Sequence, residues 1–206
     1  MKIKPSQIIL FDIDKTLHNN EEFKKLYKAK AFEYLKIDEK EWEAARKDYD
    51  NSLPERRFSH AGKMLVHIAK YLNVDIKKLR QAHFDPKNYQ AALFSEVKDV
   101  LEKLKQTHTL GLFTEGYKDH QFRKVKKGGL LDFFDPAYHF ILFNKRTQNV
   151  IDKLPENSVI VDDNPEVIDV LLKRPDLTVI WLNRADQQKH PKAYTVHSLE
   201  DLLLLV

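Results

Sequence analysis

Two carboxylates, Asp12 and Asp14, close the apolar run Ile8-Ile9-Leu10-Phe11, with a hydroxyl following at Thr16. In extended backbone, positions i and i+2 face one side, so the two acids begin directed together. Taken alone they fit an ordinary turn with a threonine helix cap equally well. Three later stretches repeat the arrangement. Leu110-Gly111-Leu112-Phe113 ends at Thr114-Glu115-Gly116, the run closing at Phe143-Asn144 delivers Lys145, and Val159-Ile160-Val161 ends at Asp162-Asp163. Four bare carboxylates would repel one another or take up protons. A hard dication with oxygen ligands, most naturally Mg²⁺, resolves this and keeps open positions for water and a substrate phosphate. Lys145 offers a fixed charge to a phosphoryl oxygen or to an Asp in the same crevice. Thr114 and the N–H groups near Gly116 offer hydrogen bonds. A carboxylate beside a neutralised phosphate can attack phosphorus, and a neighbouring carboxyl can protonate the leaving oxygen and later activate water.

These groups need strands to carry them. From Ser95 the pattern alternates: helix 95–106, strand 109–113, helix 118–127, strand 138–143, helix 147–154, strand 158–161, helix 165–173, strand 177–182, a short strand 194–196 and a terminal helix 199–204. Such alternation predicts an α/β fold, a doubly wound parallel sheet with helices on both faces and its site outside the carboxyl ends of the strands. The Ile8–Phe11 run reads as a buried strand of that sheet. Residues 20–90 differ. Phe23, Leu26, Tyr27, Ala31 and Tyr34 recur at helical spacing, a second helix begins near Asp38, a third holds Met64, Leu65 and Ile68, and a fourth runs from about Val74 to His83. The expected organisation is a core of residues 1–16 and 91–206 with a smaller all-α domain, 17–90, inserted after the first motif.

Composition removes several chemistries. The chain of 206 residues has no cysteine, so disulfides, thiolate metal sites and cysteine nucleophiles are excluded. Too few apolar residues precede Asp12 for a signal h-region or a membrane span, and a cytoplasmic protein without a membrane partner is expected. The formal charge of +4 falls within residues 17–90, which carry 16 Lys and Arg against 12 Asp and Glu. A mixed-charge helical surface accounts for such an excess, and with no binding motif nucleic acid is not an expected partner.

The ordered set Asp-x-Asp-x-Thr, Thr114, Lys145 and the Asp162-Asp163 pair resembles the haloacid dehalogenase (HAD) superfamily. The likeness covers residues 7–16 and 109–182, and the helical insert is similar to that superfamily's cap on a Rossmann-like core. The resemblance implies Asp12 as nucleophile and metal ligand, and Asp14 as general acid/base lending its backbone carbonyl to the metal. It implies Thr114 and Lys145 as phosphoryl-binding residues, and Asp163 as a Mg²⁺ ligand with Asp162 beside it. Asp14 also discriminates: members resembling true dehalogenases lack the second acid, since displacing halide needs no proton donor. The expected activity is therefore Mg²⁺-dependent phosphomonoester hydrolysis on a small phosphorylated metabolite such as a nucleotide or sugar phosphate. A phosphomutase of the same fold is the alternative within enzymes. Glu115, where an amide is common, and the short segment between Lys145 and Asp162 suggest a low-turnover binding or regulatory protein as another. Glu115, so close to phosphate, is expected either to point away or to contact a substrate hydroxyl. In the insert, Arg56 and Arg57 beside Phe58 are candidates to hold the non-reacting end of a substrate, against the plainer reading of a solvated turn.

Overall fold

The computed structural model describes residues 2–53 and 60–206. The chain divides into two compact units, residues 1–19 with 93–206, and residues 20–92. The division lies two to three residues beyond the expected boundaries. Leu17 and His18 belong with the first unit because the Phe94 N–H donates to the Leu17 carbonyl (3.2 Å) and His18 bridges Asp14 and Leu93.

The first unit is built on six parallel strands: β1 (Ile8–Phe11), β2 (Thr109–Glu115), β3 (His139–Leu142), β4 (Val159–Asp162), β5 (Thr178–Leu182) and β6 (Tyr194–Val196). Their order, β3-β2-β1-β4-β5-β6, is the doubly wound order of a Rossmann-like sheet, with β1 at its centre. The apolar run at β1 follows from burial on both faces. Ile9 and Phe11 pack with Leu112, Val161, Leu101 and Val125 on one side, while Leu10 packs with Phe113, Ile160 and Ile168 on the other. The register pairs Leu10 with Gly111, and a Cβ at Gly111 would lie 2.6 Å from Leu10 Cδ2 and from Tyr138 Cβ, so that position tolerates only glycine.

The second unit comprises α1 (Asn20–Leu35), α2 (Glu39–Asn51), α3 (Ala61–Tyr71), α4 (Ile76–His83) and α5 (Pro86–Ala91), with no strand among its described residues. Asp38 caps α2 in a capping box with Glu41. Tyr27, Trp42, Tyr49, Leu65 and Ile68 form its core. The helix α5 was not expected after the break at Asp85-Pro86. Asp85 accepts from the Lys87 N–H and Pro86 fills the first helical turn, so the apparent stop restarts a helix.

In the first unit, α6 (Val97–Lys105), α7 (Lys118–Gly128), α8 (Gln148–Ile151) and α9 (Pro165–Leu171) connect the strands. Helix α8 is a single turn, much shorter than the expected 147–154, and the terminal 199–204 segment is a 3₁₀ helix, not an α-helix. No helix among the described residues is long and apolar enough to cross a membrane.

Candidate active site

The site forms where the strand order reverses. Because the chain leaves β1 for β2 on one side and β4 lies on the other, the carboxyl ends of β1 and β4 are neighbours, and the Asp12 N–H continues the ladder to the Val161 carbonyl (2.9 Å). Asp12 follows β1 directly, and Asp162 is the last residue of β4. The loop after β3 brings Lys145 across to both. Its Nζ donates to Asp12 Oδ1 at 2.7 Å and to Asp162 Oδ2 at 2.6 Å, with all three side chains buried.

Both Asp162 oxygens are engaged, since Oδ1 accepts from the Asn164 N–H (2.9 Å) and Oδ2 from Lys145. Asp163 is placed differently. Its backbone carbonyl accepts from Trp181 Nε1 (2.9 Å), which fixes the residue while its half-buried carboxylate stays with the cluster. Carboxylate oxygens of Asp12, Asp162 and Asp163 lie within 4.8 Å of one another, and the Asp14 side chain is not in that group.

Burial dominates the acidities of these three carboxyls, with the charges of their neighbours acting second. Burial pushes Asp162 up to about 7, against the pull of Lys145 and with a further push from Asp12. Burial followed by the charge of Asp12 raises Asp163 to about 6. Asp12 is also raised by burial, with Lys145 opposing and Asp14 adding to the rise. Burial works to lower Lys145, yet Asp12 and Asp162 together hold it well above the ordinary lysine range, so it stays charged.

Thr114, near the end of β2, is fully buried, and its hydroxyl weakly favours ionised Asp12 without completing a hydrogen bond of its own. Gly116 takes φ +138°, a conformation that favours glycine, and its N–H donates to the Leu142 carbonyl (2.7 Å), tying the loop after β2 to the end of β3. Glu115 turns toward the loop after β3. Its Oε2 lies 3.5 Å from the Lys145 N–H and its carboxylate 3.8 Å from Arg146. The acid that would oppose a phosphate is thus held beside a guanidinium. Arg56 and Arg57 lie outside the described residues.

Asp12 and Asp14 part company despite their i, i+2 spacing. Asp14 is docked on α7: Lys124 Nζ forms an ion pair with Oδ1, and Gln121 Nε2 donates to Oδ2 at 2.7 Å. Neither α7 residue is singled out by the sequence analysis. The available signal was positional. Gln121 and Lys124 share a buried helical face with Val125 and Gly128, and polar side chains on such a face require partners.

The motif order is matched by the family model for haloacid dehalogenase-like hydrolases over residues 9–165. The chain belongs to that family. No curated protein sequence matches it significantly. Among solved structures, the fold is similar to a haloacid dehalogenase-like hydrolase from Burkholderia xenovorans, with a TM-score of 0.72 at 19% identity over 98% of this chain and 97% of that one. It is also similar to a HAD phosphatase from Thermococcus onnurineus, TM-score 0.62 at 20% identity over 95% of each chain. A third is the HAD-hydrolase YfnB from Bacillus subtilis bound to magnesium, TM-score 0.62 at 18% identity over 98% of each chain. In this haloacid dehalogenase-like hydrolase Asp12 takes the switch-point position directly after β1.

Proposed function

We propose that this haloacid dehalogenase-like hydrolase is a phosphomonoesterase acting through an aspartyl phosphate, with Mg²⁺ as its cation and a small phosphorylated metabolite as its substrate. The observation that carries the reading is the second acid. Asp14 lies close enough to raise the pKa of Asp12, yet it has its own cation and its own place. Displacement of halide from carbon uses one carboxylate, whereas cleavage of an ester uses a nucleophile and a proton donor.

The residues fit the metal. Asp12 and Asp163 would hold it together with the Asp14 carbonyl, and Asp162, with both oxygens engaged, would support them. The cation supplies charge neutralisation between the carboxylates and the phosphate dianion. The chain's own groups then divide the work. Asp12 attacks phosphorus as the bond to the ester oxygen breaks, and Asp14 delivers a proton to that oxygen. Lys145 and the Thr114 hydroxyl hold phosphoryl oxygens, and water, activated by Asp14, opens the acyl phosphate to give inorganic phosphate and restore Asp12.

Asp12→Asn is the direct test. It keeps the side-chain volume and a hydrogen-bond acceptor for Lys145, so the fold persists by circular dichroism while phosphate release from a panel of phosphomonoesters in Mg²⁺ disappears. Full activity in that variant would end the assignment.

A further inference from the structure

We infer that Lys124 and Gln121 are positioning residues for the Asp14 carboxylate, setting where its proton is delivered on the leaving group of a phosphate ester. The inference rests on the phosphomonoesterase reading. Its ground is that each Asp14 oxygen has a different α7 partner: Lys124 takes Oδ1, and Gln121 takes Oδ2 at 2.7 Å. The two lie one turn apart, so one helix face delivers both. The same Gln121 amide donates to the Glu115 carbonyl at 2.6 Å, linking Asp14 to the residue that follows Thr114.

The backbone is shaped to allow this. A Cβ at Gly116 would stand 3.0 Å from Gln121 Nε2, so glycine there leaves the amide its path as well as permitting the φ of +138°. On the other side, Lys15 takes φ +58°, and its N–H donates to the His18 carbonyl at 2.8 Å, bending the chain immediately after Asp14. Packing alone does not ask for such residues. The Lys124 side chain is only 6% exposed, and burying a lysine charge is unfavourable unless a partner offsets it. Buried ion pairs are commonly replaceable by apolar side chains without loss of stability, so a pair aimed at the proposed proton donor points to orientation as its purpose.

Leaving groups provide the test. Release of 4-nitrophenolate needs no proton, whereas release of an alkoxide does, and kcat/KM reports steps only through cleavage of the ester bond. In Lys124→Met, kcat/KM for an alkyl phosphate is expected to fall about 100-fold, within the range of general acid catalysis, with the loss in kcat. For 4-nitrophenyl phosphate it should fall less than about threefold. Gln121→Met, which removes no charge, should show the same selectivity more weakly and serves if Lys124→Met does not fold. Equal losses on both esters, or a change confined to KM, would overturn the inference. A wild-type protein inert on every ester would instead remove the parent reading. A crystal structure of Lys124→Met then decides the positioning: a displaced Asp14 carboxylate supports it, and an unmoved one refutes it.

Discussion

Replacing Lys145 by methionine tests the electrostatics of the site directly, because among the described residues the lysine is the one cation bonded to both Asp12 and Asp162. Its bonds of 2.7 and 2.6 Å lie among side chains at most 5% exposed, so solvent cannot take over its role. Removing one member of a buried pair costs about 3–5 kcal/mol when the remaining charge stays ionised. The carboxyls have an escape: they can protonate. Asp162 already sits near 7 with the lysine present, and without it Asp12 and Asp162 both rise further. An acid whose folded pKa exceeds its unfolded value binds more protons when folded. Its contribution is intact below about pH 4 and is lost as pH rises through the folded pKa. Lys145→Met should therefore lose about 3 kcal/mol at pH 8 and only about 1 kcal/mol at pH 5, where the carboxyls are neutral and can hydrogen-bond each other. Urea unfolding in EDTA at the two pH values measures this. Equal losses at both would show that the lysine acts by packing and that the charge argument is wrong.

Two further outcomes follow from the same geometry. Burial raises Asp163 to about 6, so a cation held there would displace a proton: Mg²⁺ binding measured by calorimetry should weaken as pH falls from 7.5 to 5, and a pH-independent affinity would exclude Asp163 as a ligand. Gly111→Ala forces a methyl group against Leu10 and Tyr138 at 2.6 Å and should cost about 1–3 kcal/mol by thermal or urea unfolding, whereas an unchanged midpoint would show that the sheet opens there freely.

The sheet was legible because its strands are buried on both faces. Such strands read as short apolar runs that stop at polar residues, and the run Ile8–Phe11 with its carboxylate end is the plainest case. Less legible were elements whose existence depends on a few local bonds. The helix at Pro86–Ala91 needs one Asp85 cap, and the single turn of α8 replaces an expected helix twice its length. Within the site, strand ends exposed Asp12, Thr114, Lys145 and Asp162 to reading because the topology makes such ends converge. Trp181, Gln121 and Lys124 escaped because their contribution is relational. An indole on β5 holding the Asp163 carbonyl, or a lysine on α7 meeting Asp14, has meaning only once the partner's position is known.

The divergence of Asp12 and Asp14 is where fold and chemistry meet. Spacing alone predicts two acids pointing one way and sharing one cation. The strand, however, ends at Phe11, and Lys15 turns the chain through the left-handed region three residues after Asp12, so the second acid leaves the sheet's geometry and meets a helix. Asp12 then lies buried against Lys145 and Asp162, on the side where a phosphate and its metal would bind. Asp14, 29% exposed, rests against Lys124 and Gln121. Two carboxylates with one shared cation would be interchangeable, and neither could be assigned a role. Separate cations make them distinct, as the proposed division between attack and proton transfer requires, and that separation is set by the few residues between the end of β1 and His18.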